Sequence, residues 1–185
     1  MIYKPHRITL KDGRDALLRS PEAEDAARML DYLRTTSGET EFLLRYPDEC
    51  PYSLEQEADF LQSVSASPSE LMLLCELEGD ITGNCQISFM DRRFKTAHRA
   101  SLAIAIKQRY WRLGIGSAMF EELIAVARAH AGTEILELEV IDGNERAMAL
   151  YKKFGFETVA TRPDAIRLKD GRYLDEKIMI KRLAR

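Results

Sequence analysis

The chain has 185 residues, a mass of 21.1 kDa and a formal net charge of -3, with 45% hydrophobic and 31% charged residues. This length and composition predict a single globular domain over residues 1–185. The sequence has no apolar run long enough to cross a membrane, no secretory segment at its amino terminus, and no basic excess for binding nucleic-acid phosphates. We therefore expect a cytoplasmic protein whose partners include neither nucleic acid nor a membrane.

The cysteines and histidines do not form a recognisable ligand pattern. Cys50, Cys75 and Cys85 are an odd number without C-x-x-C spacing, and no histidine lies near them in the sequence. A disulfide framework or a zinc site would show paired or closely spaced ligands. We therefore expect free thiols and no metal site.

The first part of the chain predicts two strands followed by two helices. Residues 8–10 and 16–19 flank an Asp-Gly turn, which is typical of a hairpin. Ser20-Pro21 predicts the start of the first helix, because serine caps helices well and proline fits their first position. Residues 53–56 (SLEQ) have the pattern of a capping box and predict the start of the second helix.

The rest of the chain predicts strands and helices in a mixed order. Hydrophobic periodicity indicates a three-strand antiparallel meander, a helix, a strand and a second helix, and a hairpin around another Asp-Gly turn follows. The corresponding ranges are residues 71–77, 83–90, 98–106, 115–132, 135–141 and 144–154, with the hairpin after them. The predicted fold is α+β in three layers, a mixed sheet with helices on both faces.

A strand–loop–helix junction at residues 104–117 is the segment that points most clearly to chemistry. The strand ends, a basic and aromatic loop follows, and Gly114 and Gly116 begin an amphipathic helix. The unpaired amides and the dipole at a helix start favour a phosphate, and glycines let it approach the backbone. Arg109 and Arg112 would add positive charge. Glycines that only ease a turn explain the pattern equally well, because a bare G-x-G is a weak motif.

Two motif blocks resemble the GNAT superfamily of acetyl-CoA-dependent N-acetyltransferases. Residues 111–116 (WRLGIG) lie where the family has Q/R-x-x-G-x-G/A after its fourth strand. Downstream, residues 136–140 (LELEV), 144–147 (NERA) and 150–156 (LYKKFGF) are similar to the family's L-x-V, N-x-x-A and L-Y-x-x-x-G-F series. The element order also fits, so the resemblance covers essentially the whole chain.

The resemblance implies a GNAT-like, mostly antiparallel sheet in which acetyl-CoA enters a gap where the fourth and fifth core strands splay apart. The end of the fourth strand would pair with the pantetheine arm, and the amides of residues 112–117 would hold the pyrophosphate. Trp111 replaces the family's Gln or Arg, and we interpret it as a packing aromatic. The implied cofactor-binding residues are Ile104, Ala105, Ile106, Arg109, Trp111, Arg112, Leu113, Gly114, Ile115, Gly116, Ser117, Asn144 and Tyr151.

Acyl transfer to an amine requires a neutral amine, a stabilised carbonyl oxygen and a leaving thiolate that receives a proton. The resemblance implies that Tyr151 is the acid that protonates the thiolate. Its neighbours Leu150 and Phe154 make a purely structural role in the core an open alternative. Asn144 is a helix cap by position and, by resemblance, a contact of the pantetheine arm.

The sequence does not contain the base that some family members use. They have a glutamate on the fourth strand, and the matching residue of this chain is Ala100. Glu139 is the candidate catalytic carboxylate, and with Glu137 it occupies the polar side of its strand, which could equally be a solvated surface. His98 and Ser101 are alternative water-relay groups. Our hypothesis is that a water chain, and no single essential base, removes the proton.

The predicted function is transfer of an acetyl group from acetyl-CoA to a primary amine of a small molecule or peptide, by direct attack in a ternary complex. Seven acids and one base between residues 39 and 59 would attract a cationic acceptor or form a solvated surface. Phe42, Tyr46 and Tyr52 lie among them. A non-catalytic acyl-CoA-binding module and a transferase of a longer acyl chain remain alternatives. The resemblance is compatible with a homodimer, and no other feature of the sequence indicates one.

Overall fold

The computed structural model describes residues 1–183, which form one eight-stranded sheet with four α-helices packed on it. The strands are β1 (His6–Thr9), β2 (Asp15–Arg19), β3 (Glu70–Leu77), β4 (Asp80–Phe89), β5 (Arg99–Ile106), β6 (Ile135–Ile141), β7 (Glu157–Arg167) and β8 (Tyr173–Arg182), and the helices are α1 (Ala26–Gly38), α2 (Leu54–Ala66), α3 (Ile115–Ala129) and α4 (Glu145–Lys153). The predicted order of elements is confirmed. The predicted domain range extends two residues beyond the described part and remains a prediction.

The sheet is mixed and mostly antiparallel, as predicted. Its strand order is β1-β2-β3-β4-β5-β6-β8-β7, and β5 and β6 are the neighbours that run parallel. They pair only between residues 99–101 of β5 and 135–137 of β6, whereas β4 pairs with β5 as far as Ile106. Since the first hairpin adds one strand at the edge, β5 and β6 correspond to the predicted fourth and fifth core strands. The predicted splay is therefore present between them.

Helices cover both faces of the sheet because the central strands are apolar on both sides. On β3, the side chains of Leu71, Leu73 and Cys75 lie in the same buried cluster as residues of α3 and α4. Met72 and Leu74 alternate with them and pack with residues of α1 and α2 on the opposite face. This period of two places the α1–α2 pair and the α3–α4 pair on opposite sides of the sheet.

The predicted start of the first helix is wrong. The Ser20 hydroxyl does not cap a helix but accepts a hydrogen bond from the Tyr3 amide at 2.8 Å. Asp25 forms a bidentate ion pair with Arg19, at 2.6 and 2.8 Å, and a short 3-10 turn over Ala23–Asp25 precedes α1. This ion pair ties the chain to β2, so that regular α-helix begins only at Ala26.

The predicted capping box of the second helix is confirmed. The Gln56 amide donates to the Ser53 hydroxyl at 3.1 Å, and the Gln56 side chain accepts from the Ser53 amide at 2.9 Å. These reciprocal bonds satisfy two donors at the start of α2 that would otherwise lack a partner. They fix the helix start and therefore the direction in which its first turn faces.

Within residues 1–183, no helix is long and apolar enough to span a membrane. In the same part of the chain, no group of three or more His, Cys, Asp or Glu side chains is placed to hold a metal ion. The thiols of Cys50, Cys75 and Cys85 are free and buried.

Candidate functional site

A large cleft opens where β5 and β6 separate, with a volume of about 1360 Å³. One end, which we call the α3 end, is formed by residues 104–106 of β5 and by residues 111–117 before and at the start of α3. The other end, the α2 end, is formed by the α1–α2 connection and the first turns of α2, and its lining includes Phe42, Arg45, Tyr52, Glu57 and Phe60. The cleft therefore joins the two helical layers through the gap in the sheet.

The edge of β5 that faces the cleft carries unpaired main-chain groups. The Lys107 amide donates to the Thr82 carbonyl at 2.9 Å and therefore faces β4. Because the N–H and C=O of one strand residue face the same neighbour and those of the next residue face the other, the main-chain groups of Ile106 and Ile104 face the gap. The Ile106 carbonyl already accepts a hydrogen bond from the Trp111 indole nitrogen at 2.8 Å. The Ile104 carbonyl is thus the better-placed acceptor for a ligand that adds to this edge.

The loop before α3 borders the cleft and carries amides that no protein group of residues 1–183 accepts from. Gly114, the N-cap residue, has a φ of 94°, and Arg112 has a φ of 67°. In residues 1–183, no protein group accepts a hydrogen bond from any amide of residues 112–117. Free amides at the start of a 15-residue helix form a ready site for an anion.

Gly116 is required by packing. A Cβ at this position would lie 3.2 Å from the Ile106 Cδ1 atom and 3.2 Å from the Leu150 Cδ2 atom. The glycine therefore lets α3 approach both β5 and α4 closely. The Ile115 side chain, by contrast, is buried in the core below the loop.

Positive side chains surround this loop. The Lys11 Cγ atom lies 3.6 Å from the position of a Cβ on Gly114. The Arg146 guanidinium stacks 3.6 Å above the Trp111 ring, and the Lys153 ammonium donates to the Ser117 hydroxyl at 2.9 Å. Together with the dipole of α3, they make the α3 end attractive to phosphate groups.

Two residues of the predicted set do not line the cleft. Arg109 pairs with Asp80 at 2.5 Å, which draws its guanidinium away from the amides of residues 112–117. Leu113 packs against the core, and its carbonyl accepts from the Lys11 amide. The other eleven residues do line the cleft: Ile104, Ala105, Ile106, Trp111, Arg112, Gly114, Ile115, Gly116, Ser117, Asn144 and Tyr151.

Tyr151 is both a core residue and part of the cleft wall. Its ring stacks on Phe120 with centroids 5.3 Å apart, and only 6% of its surface is exposed. No group in residues 1–183 hydrogen-bonds its hydroxyl, which leaves the phenol free for a ligand. Burial raises the pKa of Tyr151 to about 12, so the phenol is protonated at neutral pH and able to donate.

Three of the remaining sequence candidates near the splay line the cleft. Asn144 caps α4 by accepting from the Ala147 amide at 3.2 Å and also lines the cleft. Glu139 lines the cleft too, but its side chain is 53% exposed and lies 3.3 Å from Arg162. Ser101 joins them in the cleft wall.

Two further sequence candidates do not line the cleft. Glu137 is held by Arg99, and the His98 carbonyl accepts hydrogen bonds from the Glu134 and Ile135 amides.

Most of the acidic residues between positions 39 and 59 are engaged in ways that the sequence did not indicate. Glu39 accepts from the Gln108 amide at 2.7 Å, Glu41 pairs with Arg172 at 2.8 Å, and Asp48 pairs with Lys169 at 2.6 Å. Phe42 and Tyr52 line the cleft, whereas the Tyr46 hydroxyl accepts from the Lys169 amide and lies outside it.

One acid of this segment was not singled out by its sequence. Glu57 lines the cleft, is only 4% exposed, and its Oε1 atom has no hydrogen-bond partner among the described residues. Burial raises the pKa of its carboxyl, and the charge of Arg45 lowers it in part. The capping box placed Glu57 in the first turns of α2, but no local signal showed which side of that helix would face the cleft.

Comparison with known proteins identifies the family. The model of the acetyltransferase (GNAT) family matches residues 31–156. The chain belongs to the GNAT acetyltransferase family. This GNAT chain is 30% identical over 112 residues to an L-amino acid N-acetyltransferase from Escherichia coli, a match that covers 60% of the chain and 68% of that relative. It is 25% identical over 158 residues to an N-alpha-acetyltransferase from Sulfurisphaera tokodaii, covering 80% and 84%.

Solved GNAT structures share the fold. An acetyltransferase of the family from Streptococcus pneumoniae superposes with a TM-score of 0.84 and 32% identity over 91% of this chain and 99% of that one. A putative acetyltransferase from Salmonella typhimurium, solved with its cofactor acetyl-CoA, matches with a TM-score of 0.76 and 17% identity over 91% and 94%. The predicted GNAT resemblance, fold class and acyltransferase activity are thereby confirmed.

Proposed function

We propose that this GNAT enzyme transfers the acetyl group of acetyl-CoA to a primary amine of a small molecule or peptide, by direct attack within a ternary complex. The observation that carries the proposal is the set of free amides over residues 112–117 next to the open edge of β5. The amides fit a diphosphate, and the open edge fits an extended amide-bearing arm, which are two successive parts of coenzyme A.

In this proposal, the pyrophosphate lies on the amides at the start of α3, with Lys11, Arg112 and Arg146 nearby. The pantetheine arm pairs with the Ile104 peptide group, since the Ile106 carbonyl is occupied by Trp111. Gly116 allows the close approach of α3 to β5, and Gly114 provides the positive φ that sets the direction of the neighbouring amides. The thioester then reaches the splay, where Tyr151 lines the wall.

The transfer step forms a bond between the amine nitrogen and the acetyl carbonyl carbon and breaks the bond from that carbon to sulfur. Tyr151 gives its phenolic proton to the leaving sulfur and recovers a proton from water, since burial keeps the phenol neutral before the reaction. The nitrogen loses its proton to water in the part of the cleft that Ser101 and Glu139 line. Ala100, which replaces the family's glutamate, is fully buried beside β6 and provides no carboxylate.

The test is release of free thiol from acetyl-CoA with a panel of amines that includes L-amino acids, diamines and a peptide amino terminus, together with calorimetry of acetyl-CoA binding. Turnover with at least one amine supports the proposal. Binding of acetyl-CoA without turnover on any amine would favour a non-catalytic acyl-CoA-binding module. A preference for longer acyl-CoAs in competition would favour transfer of a longer acyl chain.

A further inference from the structure

The carboxylate of Glu57 is in an unusual state for a charged group. It lies in the first turns of α2, is only 4% exposed, and lacks a partner for Oε1 among residues 1–183. Burying a carboxylate without a hydrogen-bond donor costs free energy, and proteins normally avoid it or match it with a cation. A donor supplied by a bound molecule in the cleft would account for this position.

The other acids of the same segment do not share this state. Glu55 and Asp59 stand on the same helix and are exposed to water, while Glu39, Glu41 and Asp48 have protein partners. The Oε1 atom of Glu57 is buried and has no hydrogen-bond partner among residues 1–183. Glu57 is therefore not simply one more residue of a solvated acidic surface.

Charge along the cleft indicates which kind of molecule would meet Glu57. Of the four lysine and arginine side chains that line the cleft in the described residues, Lys11, Arg112 and Arg146 belong to the α3 end. Arg45 is the remaining one, and it is exposed and makes no hydrogen bond to Glu57. Anionic groups of a ligand are thus drawn to the α3 end, and a cationic group is drawn to Glu57.

Glu57 and Tyr151 lie on opposite faces of the sheet. Tyr151 belongs to the cluster formed with α3 and α4, whereas α2 packs with α1 on the other face. A carboxylate also stabilises the protonated form of any ammonium that it binds, which would keep an attacking nitrogen unreactive. A charged nitrogen bound at Glu57 is therefore a different one from the nitrogen that attacks.

We infer that the carboxylate of Glu57 binds the acceptor, accepting a hydrogen bond from a positively charged nitrogen that the acceptor carries in addition to the attacking amine. This inference rests on the proposed function. It identifies the acceptor class as molecules with two amino groups, or with one amine and another cationic nitrogen. The Glu57 carboxylate is a binding residue in this account and does not take part in proton transfer.

The first experiment compares Glu57→Gln with the matched variant Glu55→Gln, which changes an exposed acid in the same turn. The substrates form two pairs. 1,4-Diaminobutane is compared with butylamine, and lysine amide with norleucine amide; the first member of each pair has one more cationic nitrogen. We expect the wild type to prefer the dicationic member. Loss of a charge-assisted hydrogen bond should lower kcat/KM for that member by about 10- to 100-fold in Glu57→Gln, through KM. Butylamine and norleucine amide, and all substrates with Glu55→Gln, should change less than about twofold.

A second experiment separates this inference from the proposed function. Calorimetry measures the binding of 1,4-diaminobutane in the presence of coenzyme A, without turnover. Weaker diamine binding by Glu57→Gln, with unchanged acetyl-CoA binding, supports the inference even if no amine is acetylated. Equal diamine binding by both proteins overturns it, whether or not the enzyme turns over.

Two other results would also overturn the inference. A fall in kcat for every amine with unchanged KM would make Glu57 a proton acceptor. A marked fall in urea resistance of Glu57→Gln, with diamine binding intact, would give the residue a structural role. Our account expects the opposite, because Gln removes an unsatisfied buried charge and the variant should unfold at an equal or higher urea concentration.

Discussion

The two ends of the cleft use different parts of the polypeptide. At the α3 end the groups that face the cleft are mainly backbone amides of residues 112–117 and the peptide edge of β5. At the α2 end they are side chains, such as Phe42, Tyr52 and Glu57. Main-chain groups cannot be changed by substitution unless the backbone itself moves, so the α3 end suits a ligand common to all reactions of the family. Side chains change freely, which suits the end that selects the acceptor.

This comparison predicts that catalysis fails when the wall between the two ends is altered, even if both ends still bind. Tyr151→Phe removes the phenolic proton and keeps the stack on Phe120. We expect kcat to fall by roughly 100- to 10,000-fold, the scale of a lost general acid, with acetyl-CoA affinity unchanged in calorimetry.

The pH profile gives an independent check on Tyr151. Since its pKa is raised to about 12 by burial, the phenol stays protonated over the ordinary assay range, and its ionisation should not reduce the wild-type rate below about pH 10. A loss of activity between about pH 8 and 10 that disappears in Tyr151→Phe would contradict the raised pKa, whereas full activity of the variant would contradict the role of Tyr151 as the acid.

Asp80 supports the α3 end of the cleft from the far side of β5. It pairs with Lys107 at 2.8 Å, and Lys107 is 2% exposed at the end of β5. Asp80→Asn leaves this buried ammonium without its closest anion, although Asp31 stays 3.5 Å away. We expect a loss of about 2 kcal/mol in the free energy of unfolding, measured with urea at pH 7, since Asp80 is partly exposed.

The same pair predicts how that loss varies with pH. Burial raises the pKa of the Asp80 carboxyl, but hydrogen bonds from Lys107 and Arg109 lower it by more. The net result is a pKa below the ordinary value of 3.8. The charge therefore stabilises the fold above about pH 4, and this contribution disappears as the pH falls through the lower pKa of the folded state. The gap between wild type and Asp80→Asn should be constant from about pH 5 to 8 and should narrow at about pH 3. A gap that widens on acidification would refute this sign.

A smaller change in acetyl-CoA affinity should distinguish the glycine turn at Gly114 from the one at Gly132. Gly114 and Gly132 both have positive φ, 94° and 84°, and a Cβ would meet only ordinary contact or open space at either. Alanine at each should cost a similar free energy of unfolding, about 1 kcal/mol, from left-handed strain. Only Gly114→Ala should also weaken acetyl-CoA binding, by about tenfold, because it alters the direction of the amides. Equal affinities in the two variants would count against the amide site.

The sequence predicted the local structure of the α3 end because its components are contiguous. Two glycines, a strand end and a helix start within 14 residues specify the loop, and the downstream motif places Tyr151 and Asn144 on the adjoining helix. The acceptor end could not be read in the same way. Glu57 was one acid among seven, and its burial depends on how α2 packs against α1 and β3.

Arg109 shows the limit of the local argument even inside the motif segment. It lies beside the phosphate loop in sequence, yet its guanidinium pairs with Asp80, a residue 29 positions earlier. The ion pair between Arg19 and Asp25 likewise delays the start of α1 past the Ser-Pro signal. Both differences arise from partners that tertiary structure brings together, which residue patterns alone do not specify.

The most direct test of the central claim follows the amide resonances of residues 112–117 by NMR during titration with acetyl-CoA. If the pyrophosphate accepts hydrogen bonds from these amides, their resonances should shift and their exchange with solvent should slow, while the amide of Gly132 stays unchanged. Acetyl-CoA that binds with its full calorimetric signal and leaves residues 112–117 unshifted and unprotected would contradict the account.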